Sequence, residues 1–397
     1  MSEARLPATV KGLAAVSFFN DIASEMIYPL LPAFLVGTLG AGAEVLGALD
    51  GASELTSAAL KWVSGRWSDR AGWRKPLILA GYATAVLVRP LIAVAGAAWQ
   101  VVGFRVVDRV GKGLRTAPRD AMLAEAAPKE MHGRAFGFHR GADHLGAMLG
   151  SLAAWWALSR HAEVREVIGW SVVPGVIAVA VLSVVVRGAS ASSGTGRETR
   201  EEKREDAAGA KGAFLVSPFS SSVLLLSLFA ACRLPEALML LRLQDLGVPV
   251  ALIPLAWAGL HVVRSTMSYP AGRLTDRIGP NALIGAGAAL FALCFCLLGK
   301  PLPPAWAMAV FLLFGLFAPL TEPAERTLVA KLSPATLGKG FGAYHALTGL
   351  AALPAGLFFG WIYQRSGAND AFWLSGALVG VVGLVWVLRR GSPRPAI

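Results

Sequence analysis

The chain has 397 residues, 55% hydrophobic and 16% charged, with a net charge of +12 and a mean hydropathy of +0.56. This composition excludes a soluble protein built around one buried core and indicates a polytopic membrane protein. A basic balance also suggests a nucleic-acid partner, so where the charges fall along the chain decides their meaning.

A spanning helix needs roughly 20 mostly apolar residues. Apolar runs of that length recur without the alternation of barrel strands, which predicts helices. Twelve are expected, over 13–36, 43–63, 76–95, 98–121, 135–158, 167–187, 217–242, 249–270, 281–299, 304–330, 340–364 and 369–389. The polar start MSEARLPATVKG and the absence of a small-residue cleavage site predict that the first helix is retained. Alternate loops are basic: Arg66, Arg70, Arg74 and Lys75; Lys129 and Arg134; Arg273 and Arg277; Lys331 and Lys339. The positive-inside bias makes this side cytoplasmic, with both termini there, in the inner or plasma membrane. The charge therefore reports topology, and no nucleic-acid partner is expected. The lipid bilayer is the medium, and the chain is expected to work as a monomer.

The run RGASASSGTGRETREEKREDAAGAKG is polar, densely charged and nearly free of apolar residues. It reads as a flexible cytoplasmic linker over 188–213. It separates six spans in 1–187 from six in 214–397. The halves share matched segments: GRWSDRAG at 65–72 with GRLTDRIG at 272–279, RAFGFHR at 134–140 with KGFGAYH at 339–345, and Pro118-Arg119-Asp120 with Pro323-Ala324-Glu325. Their common order and near-constant spacing predict two structural repeats about an axis along the membrane normal.

These features resemble the major facilitator superfamily, and the resemblance covers essentially the whole chain. The family's loop after the second helix, G-x-x-x-D-R-x-G-R-K, is matched by Gly65, Asp69, Arg70 and Gly72, followed after Trp73 by Arg74 and Lys75. A second copy, Gly272, Asp276, Arg277 and Gly279, ends in Pro280 and Asn281 without the basic tail. The resemblance implies an all-α integral membrane fold of twelve transmembrane helices in two six-helix pseudo-symmetric bundles. It also implies that these loops gate alternating access. A fourth-helix R-x-x-x-G pattern of proton-coupled members is offered by Arg105 or by Arg109 with Gly113. The fifth-helix antiporter pattern is matched loosely by Gly146, Gly150, Ser151, Ala153 and Ala154, whose small side chains still permit close packing.

Charges inside spans cost on the order of 2.5–3.5 kcal/mol each by insertion scales, so they mark pairs or a wet cavity. Asp21 and Glu25, with Asn20 beside them, share one face of the first helix. Two carboxylates so placed suit a proton carrier, and an ion pair to a fourth-helix arginine is the structural alternative. The fourth helix carries Arg105, Asp108, Arg109 and Lys112, a net positive wall favouring an anionic or zwitterionic substrate. Asp108 is expected to pair with Lys112 along the helix, and Arg115 and Arg119 to snorkel to the interface. The fifth helix adds His139, Arg140, Asp143 and His144; the second half adds Arg233, Glu236, His261, Arg264, Glu322, Glu325, Arg326, Tyr344 and His345. Kinks are expected at Pro29 and Pro32 and, later, at Pro235, Pro254, Pro319, Pro323 and Pro354.

The expectation is a secondary active transporter exporting a small organic molecule, drug or metabolite in exchange for protons. Asp21 and Glu25 are its proton-coupling residues. The alternatives are a proton-coupled importer, a carrier of an anionic or zwitterionic metabolite or lipid, and a divalent-metal carrier using Asp21, Glu25, Asp143 and His144. No HExxH, G-x-S-x-G or G-x-x-x-x-G-K-[ST] pattern is present, so neither enzymatic activity nor a cofactor is expected. Cys232, Cys294 and Cys296 lack metal-ligand spacing and read as packing residues.

Overall fold

The computed structural model describes residues 5–31, 33–40, 43–70, 72–191, 218–249, 252–333 and 336–389. Every regular element among them is helical: α1 Ala8–Glu25, α2 Ala43–Ser68, α3 Arg74–Val88, α4 Ala98–Ala126, α5 His132–Ser159, α6 Val164–Trp170, α7 Val172–Ala191, α8 Pro218–Ala231, α9 Glu236–Asp245, α10 Ile253–Ile278, α11 Pro280–Leu298, α12 Pro304–Phe314, α13 Phe317–Leu332, α14 Leu337–Ser366 and α15 Ala368–Leu388.

These helices follow the twelve expected spans, five of which are broken. The first span is α1, then a 3₁₀ turn at Tyr28–Leu30 containing Pro29 and a π segment at Ala33–Thr38. Proline lacks the N–H that an α-helix needs, so the ladder after Glu25 is rebuilt in other geometries. Pro90 does the same to the third span, whose last turns are 3₁₀ over Arg89–Val94. The sixth span divides at Ser171 into α6 and α7, and the tenth at Gly315 into α12 and α13. Pro235 is the N-cap of α9 and ends the first half of the seventh span.

Other prolines depart from the expected kinks. Pro254 sits in the first turn of α10, where its missing N–H costs nothing. Pro323 and Pro354 lie inside the continuous helices α13 and α14. Pro32 falls outside the described residues, as does most of the expected linker, although 188–191 are the last residues of α7.

Six stretches are long and apolar enough to cross a membrane by length and composition: Arg74–Val94, Val164–Val185, Pro280–Leu298, Pro304–Leu332, Leu337–Tyr363 and Ala368–Leu388. The helices α1, α2, α4, α5 and α10 each carry charged residues within the span, which lowers their hydropathy.

The chain divides into two compact units: Met1–Lys129, Ala142–Ser221 and Val329–Ala346 in one, and Glu130–Gly141, Ser222–Leu328 and Leu347–Ile397 in the other. The start of α14 thus belongs to the first unit, and the start of α5 to the second.

In the first unit α1 packs on α7, and α4 on both α2 and α3. Lipid tails offer no hydrophobic drive between helices, so close backbone approach matters more. Gly81 and Gly111 face each other across α3 and α4, and a β-carbon on either would strike the other's carbonyl oxygen. Gly146 and Gly150 of the loosely matched fifth-helix pattern lie against the backbone of Phe18 and Ile22 in α1, the packing role expected of them. In the second unit α11 packs on α15 around an aromatic core. Phe291 stacks on Phe295 at 3.8 Å and Phe295 on Phe372 at 5.0 Å. Buried Cys232 and Cys294 belong to this core, as packing residues should.

Candidate functional site

The first unit gathers a polar network where α1, α3 and α4 meet. Asp108 is its centre. Its carboxylate accepts from Arg89 Nε at 2.9 Å and Arg105 Nη1 at 3.4 Å, with Arg109 Nε at 4.0 Å. Arg89 also donates to the carbonyl and Oδ1 of Asn20, at 3.0 and 3.1 Å. Asn20 passes the network on by donating its amide to Asp21 Oδ1 at 2.8 Å. Asp108 and Arg105 are both 1% exposed, and a charge at that depth is tolerable only when it is paired. The expected pairing of Asp108 with Lys112 is therefore corrected: Arg89, at the end of α3 in the preceding span, takes that place.

Asp21 and Glu25 are held differently. Among the described residues neither forms an ion pair within 4.0 Å, and Asp21 has only the Asn20 amide as side-chain partner. Their surroundings are nevertheless charged. Glu25 lies in the fields of Asp21, Lys112, Arg109 and Arg105, and Asp21 in those of Asp143, Lys112 and Arg115. Lys112, half-buried, forms no ion pair within 4.0 Å among the described residues and sits among Arg109, Lys61, Glu54 and Asp21. The structure thus places Asn20, Asp21, Glu25, Arg105, Asp108, Arg109 and Lys112 together, as expected, but without the ion pair between the first-helix acids and a fourth-helix arginine.

Arg115 and Arg119 do not snorkel. Both are buried. Arg115 donates to the Gly81 carbonyl at 2.9 Å, which the absence of a side chain at Gly81 allows, and its guanidinium lies 4.6 Å over the Tyr82 ring. Arg119 donates to Asp120 at 2.9 Å and to Ser17 Oγ at 3.2 Å. The other Asp120 oxygen meets His345 Nε2 of α14 at 2.7 Å. His345 stacks beside Tyr344, one of the expected cavity residues, which is itself buried. Asp143 and His144 of α5 are buried in the same unit.

In the second unit, Arg264 pairs with Glu236 at 2.5 Å and lies 5.9 Å over the Trp257 ring, which also meets His261 edge-on. Arg233 lies over Phe229 and Phe317 at 5.2 and 5.5 Å. Arg140 pairs with Glu322 at 2.7 Å, and Arg326 approaches the same oxygen at 3.5 Å. His139 is buried nearby in sequence. Among the described residues, no three of His, Cys, Asp and Glu are grouped to hold a metal ion.

The two matched loops form matched caps. Asp69, just after α2, accepts the backbone N–H groups of Gly338 and Lys339, each at 2.8 Å, at the start of α14. Asp276, near the end of α10, accepts those of Gly133 and Arg134 at 2.7 and 2.9 Å, at the start of α5. A carboxylate there satisfies orphan donors and meets the positive end of the helix dipole. Burial pushes the Asp69 carboxyl up, and the two amide hydrogen bonds oppose it. Gly65 and Gly272 let the helices close: a β-carbon at Gly65 would strike Gly338 and Gly342, and one at Gly272 would strike Gly133 and Gly137. Gly72 and Gly279 have φ of +78° and +91°, which end each segment in a conformation that only glycine adopts readily. Arg70 and Arg277 are exposed. The bases beside the carboxylates are instead Arg74, at 3.6 Å from Asp69, and Arg134, at 3.3 Å from Asp276.

A model of the Major Facilitator Superfamily matches residues 13–260 and 234–397. The chain belongs to the Major Facilitator Superfamily. Among its curated relatives is an uncharacterized MFS-type transporter of Methanocaldococcus jannaschii, 28% identical over 389 residues, covering 96% of this chain and 94% of the relative. An uncharacterized protein of Mycobacterium tuberculosis is 27% identical over 344 residues, covering 84% and 81%. The multidrug resistance protein MdtH of Cronobacter sakazakii is 24% identical over 382 residues, covering 90% and 87%. Two solved structures share the fold at 16% identity. The proton:xylose symporter XylE has a TM-score of 0.76 and covers 97% of this chain and 94% of its own, and the human organic anion transporter MFSD10 has 0.74, with 95% and 98%. Membership of this superfamily makes the chain a membrane transporter with the twelve-helix fold.

Several residues of the site escaped the sequence reading. Arg89 stands inside an apolar span, and an intramembrane arginine is itself a signal. Glu54 and Lys61 lie seven residues apart on α2, two turns along one face, a spacing that was open to reading.

Proposed function

We propose that this superfamily member is a proton-coupled secondary active transporter that exports a small organic molecule across the inner or plasma membrane by alternating access. Asp21 and Glu25 carry the protons. The observation behind this reading is the contrast within one network: Asp108 is shared by Arg89 and Arg105, whereas Asp21 and Glu25 have no ion pair among the described residues. A carboxylate without a fixed counter-charge in a desolvated site gains and loses a proton near neutral pH more readily than one locked to arginine.

Exchange with protons accounts for the direction. A substrate that displaces protons from Asp21 and Glu25 leaves on one side while protons enter from the other. The relationship to multidrug resistance proteins supports export of a drug-like molecule. The two six-helix halves, 1–187 and 214–397, are the moving bodies, and the Asp69 and Asp276 caps are the contacts that form and break as they rock.

A second reading is the carriage of an anionic or zwitterionic metabolite. Its support is Lys112 and Arg109, cations of α4 that form no ion pair among the described residues beyond the 4.0 Å approach of Arg109 to Asp108.

Flux in vesicles separates the readings. With the purified protein in liposomes and a pH-sensitive dye inside, addition of drug-like cations to wild type should release protons, and Glu25→Gln should abolish the signal. Proton uptake together with organic anions supports the second reading. Unchanged proton movement in both Asp21→Asn and Glu25→Gln removes the coupling role of the first-helix acids.

A further inference from the structure

The repeats align RAFGFHR at 134–140 with KGFGAYH at 339–345, which sets His345 opposite Arg140. Each of these residues reaches a carboxylate on another helix of its own unit. Arg140 meets Glu322 of α13 at 2.7 Å, one turn before Glu325 of the Pro-Ala-Glu segment. His345 meets Asp120 of the matching Pro-Arg-Asp segment in α4 at 2.7 Å. The two bases occupy the same place in the repeat, but their acids are offset by one turn and the two bridges differ in chemistry. A guanidinium keeps its charge at every physiological pH, whereas an imidazole exchanges its proton there.

We propose that the Asp120–His345 bridge is a second proton-binding site, separate from Asp21 and Glu25, which sets how firmly the start of α14 is held to α4. Asp120 is 1% exposed and His345 7%, so water does little to weaken the pair. Several groups face it, among them the Tyr82 hydroxyl of α3, which bonds Arg119. Arg119 on α4 holds the other Asp120 oxygen at 2.9 Å; Ser17 of α1 bonds Arg119 at 3.2 Å and Tyr82 of α3 at 3.2 Å. Asp143 of α5 acts on Arg119 through its field. On α14 itself the His345 ring rests against Phe341 and Tyr344.

The sign follows from the hydrogen bond. Protonated His345 makes a charge-assisted bond to the Asp120 carboxylate, and neutral His345 makes only an ordinary one through Nε2–H. The bridge is therefore firmer at acid pH and looser at alkaline pH. The Asp69 cap fastens the same helix start through Gly338 and Lys339, so loosening the bridge weakens a helix start that the cap also holds. The contact of Arg140 with Glu322, made by the base at the matching position, has no such switch.

Hydrogen exchange of residues 337–346 tests this in the full-length protein in lipid nanodiscs. After correction for intrinsic pH dependence, wild-type exchange should rise about tenfold between pH 6 and pH 8, as for a group whose proton affinity differs by one pKa unit between closed and open forms. His345→Arg should be slow and flat, His345→Gln fast and flat, and Glu25→Gln should keep the wild-type slope. A slope retained in His345→Arg or His345→Gln, or absent from wild type, overturns the proposal. A slope lost in Glu25→Gln but kept in the His345 variants places the proton on the first helix instead. If His345→Arg fails to fold, His345→Gln alone decides.

Discussion

Asp108 and the pair Asp21 and Glu25 lie within one polar network, yet they are paired in opposite ways. Asp108 has two arginines in hydrogen-bonding reach and a third 4.0 Å away, and so ties the end of α3 to α4. Asp21 and Glu25 share a cationic neighbourhood without an ion pair to any one base among the described residues. The difference teaches that an intramembrane charge is informative only together with its partners. A saturated carboxylate is framework, and a poorly paired one is free to change charge.

The strongest way to break this comparison is to remove the framework. Arg89→Ala removes the shortest hydrogen bond to buried Asp108 and both bonds from Arg89 to Asn20, and should destabilise the protein by about 3–5 kcal/mol, read as lost monodispersity and a lower Tm in detergent. Glu25→Gln should behave in the opposite manner, abolishing pH-driven transport while leaving Tm within a few degrees of wild type. If Glu25→Gln melts like Arg89→Ala, the two carboxylates belong to one class and the contrast fails.

Smaller effects sharpen the account of the caps. Asp69→Asn loses two charge-assisted bonds to the start of α14 and should cost about 1.5–3 kcal/mol, read as faster amide exchange at Gly338 and Lys339. Asp276→Asn should do the same at Gly133 and Arg134, with a similar size because the geometry is matched. A large effect at one site and none at the other would show that the repeat is geometrical but not energetic. Smallest of all, Lys112→Gln should change stability by under about 1 kcal/mol, since no close ion pair is lost, yet shift the pH midpoint of transport toward alkaline values. Removing a nearby cation makes Glu25 easier to protonate, so the protonated form persists to higher pH.

Much of the fold was legible because it is written in local patterns. Apolar length marked the spans, and the paired glycine and aspartate segments marked the repeat. The same segments pointed to Gly65, Asp69, Gly272 and Asp276, whose caps the structure displays in both units. Breaks within spans were legible where proline made them, as at Pro29, Pro235 and Pro319, whose missing N–H leaves the Gly315 carbonyl without a helical partner; Pro174 does the same for Trp170, next to the break at Ser171. Pro323 and Pro354 misled because membrane helices can carry proline without ending.

The site was legible as a set of residues but not as a set of bonds. Spacing along α4 suggested Asp108 with Lys112, yet the nearer partner comes from α3. Pairing between helices depends on rotation about each axis, which sequence spacing does not specify. Arg115 illustrates the point. From its place near the helix end it reads as an interfacial residue, and its burial depends on Gly81 of another helix leaving room for a guanidinium.

The central claim is that the proton couples through Asp21 and Glu25. The direct measurement compares two fluxes in the same proteoliposomes carrying Asp21→Asn with Glu25→Gln: accumulation driven by an imposed pH gradient, and exchange of labelled for unlabelled substrate without one. The account predicts that gradient-driven accumulation disappears while exchange persists. Accumulation at the wild-type rate in the double variant would contradict it.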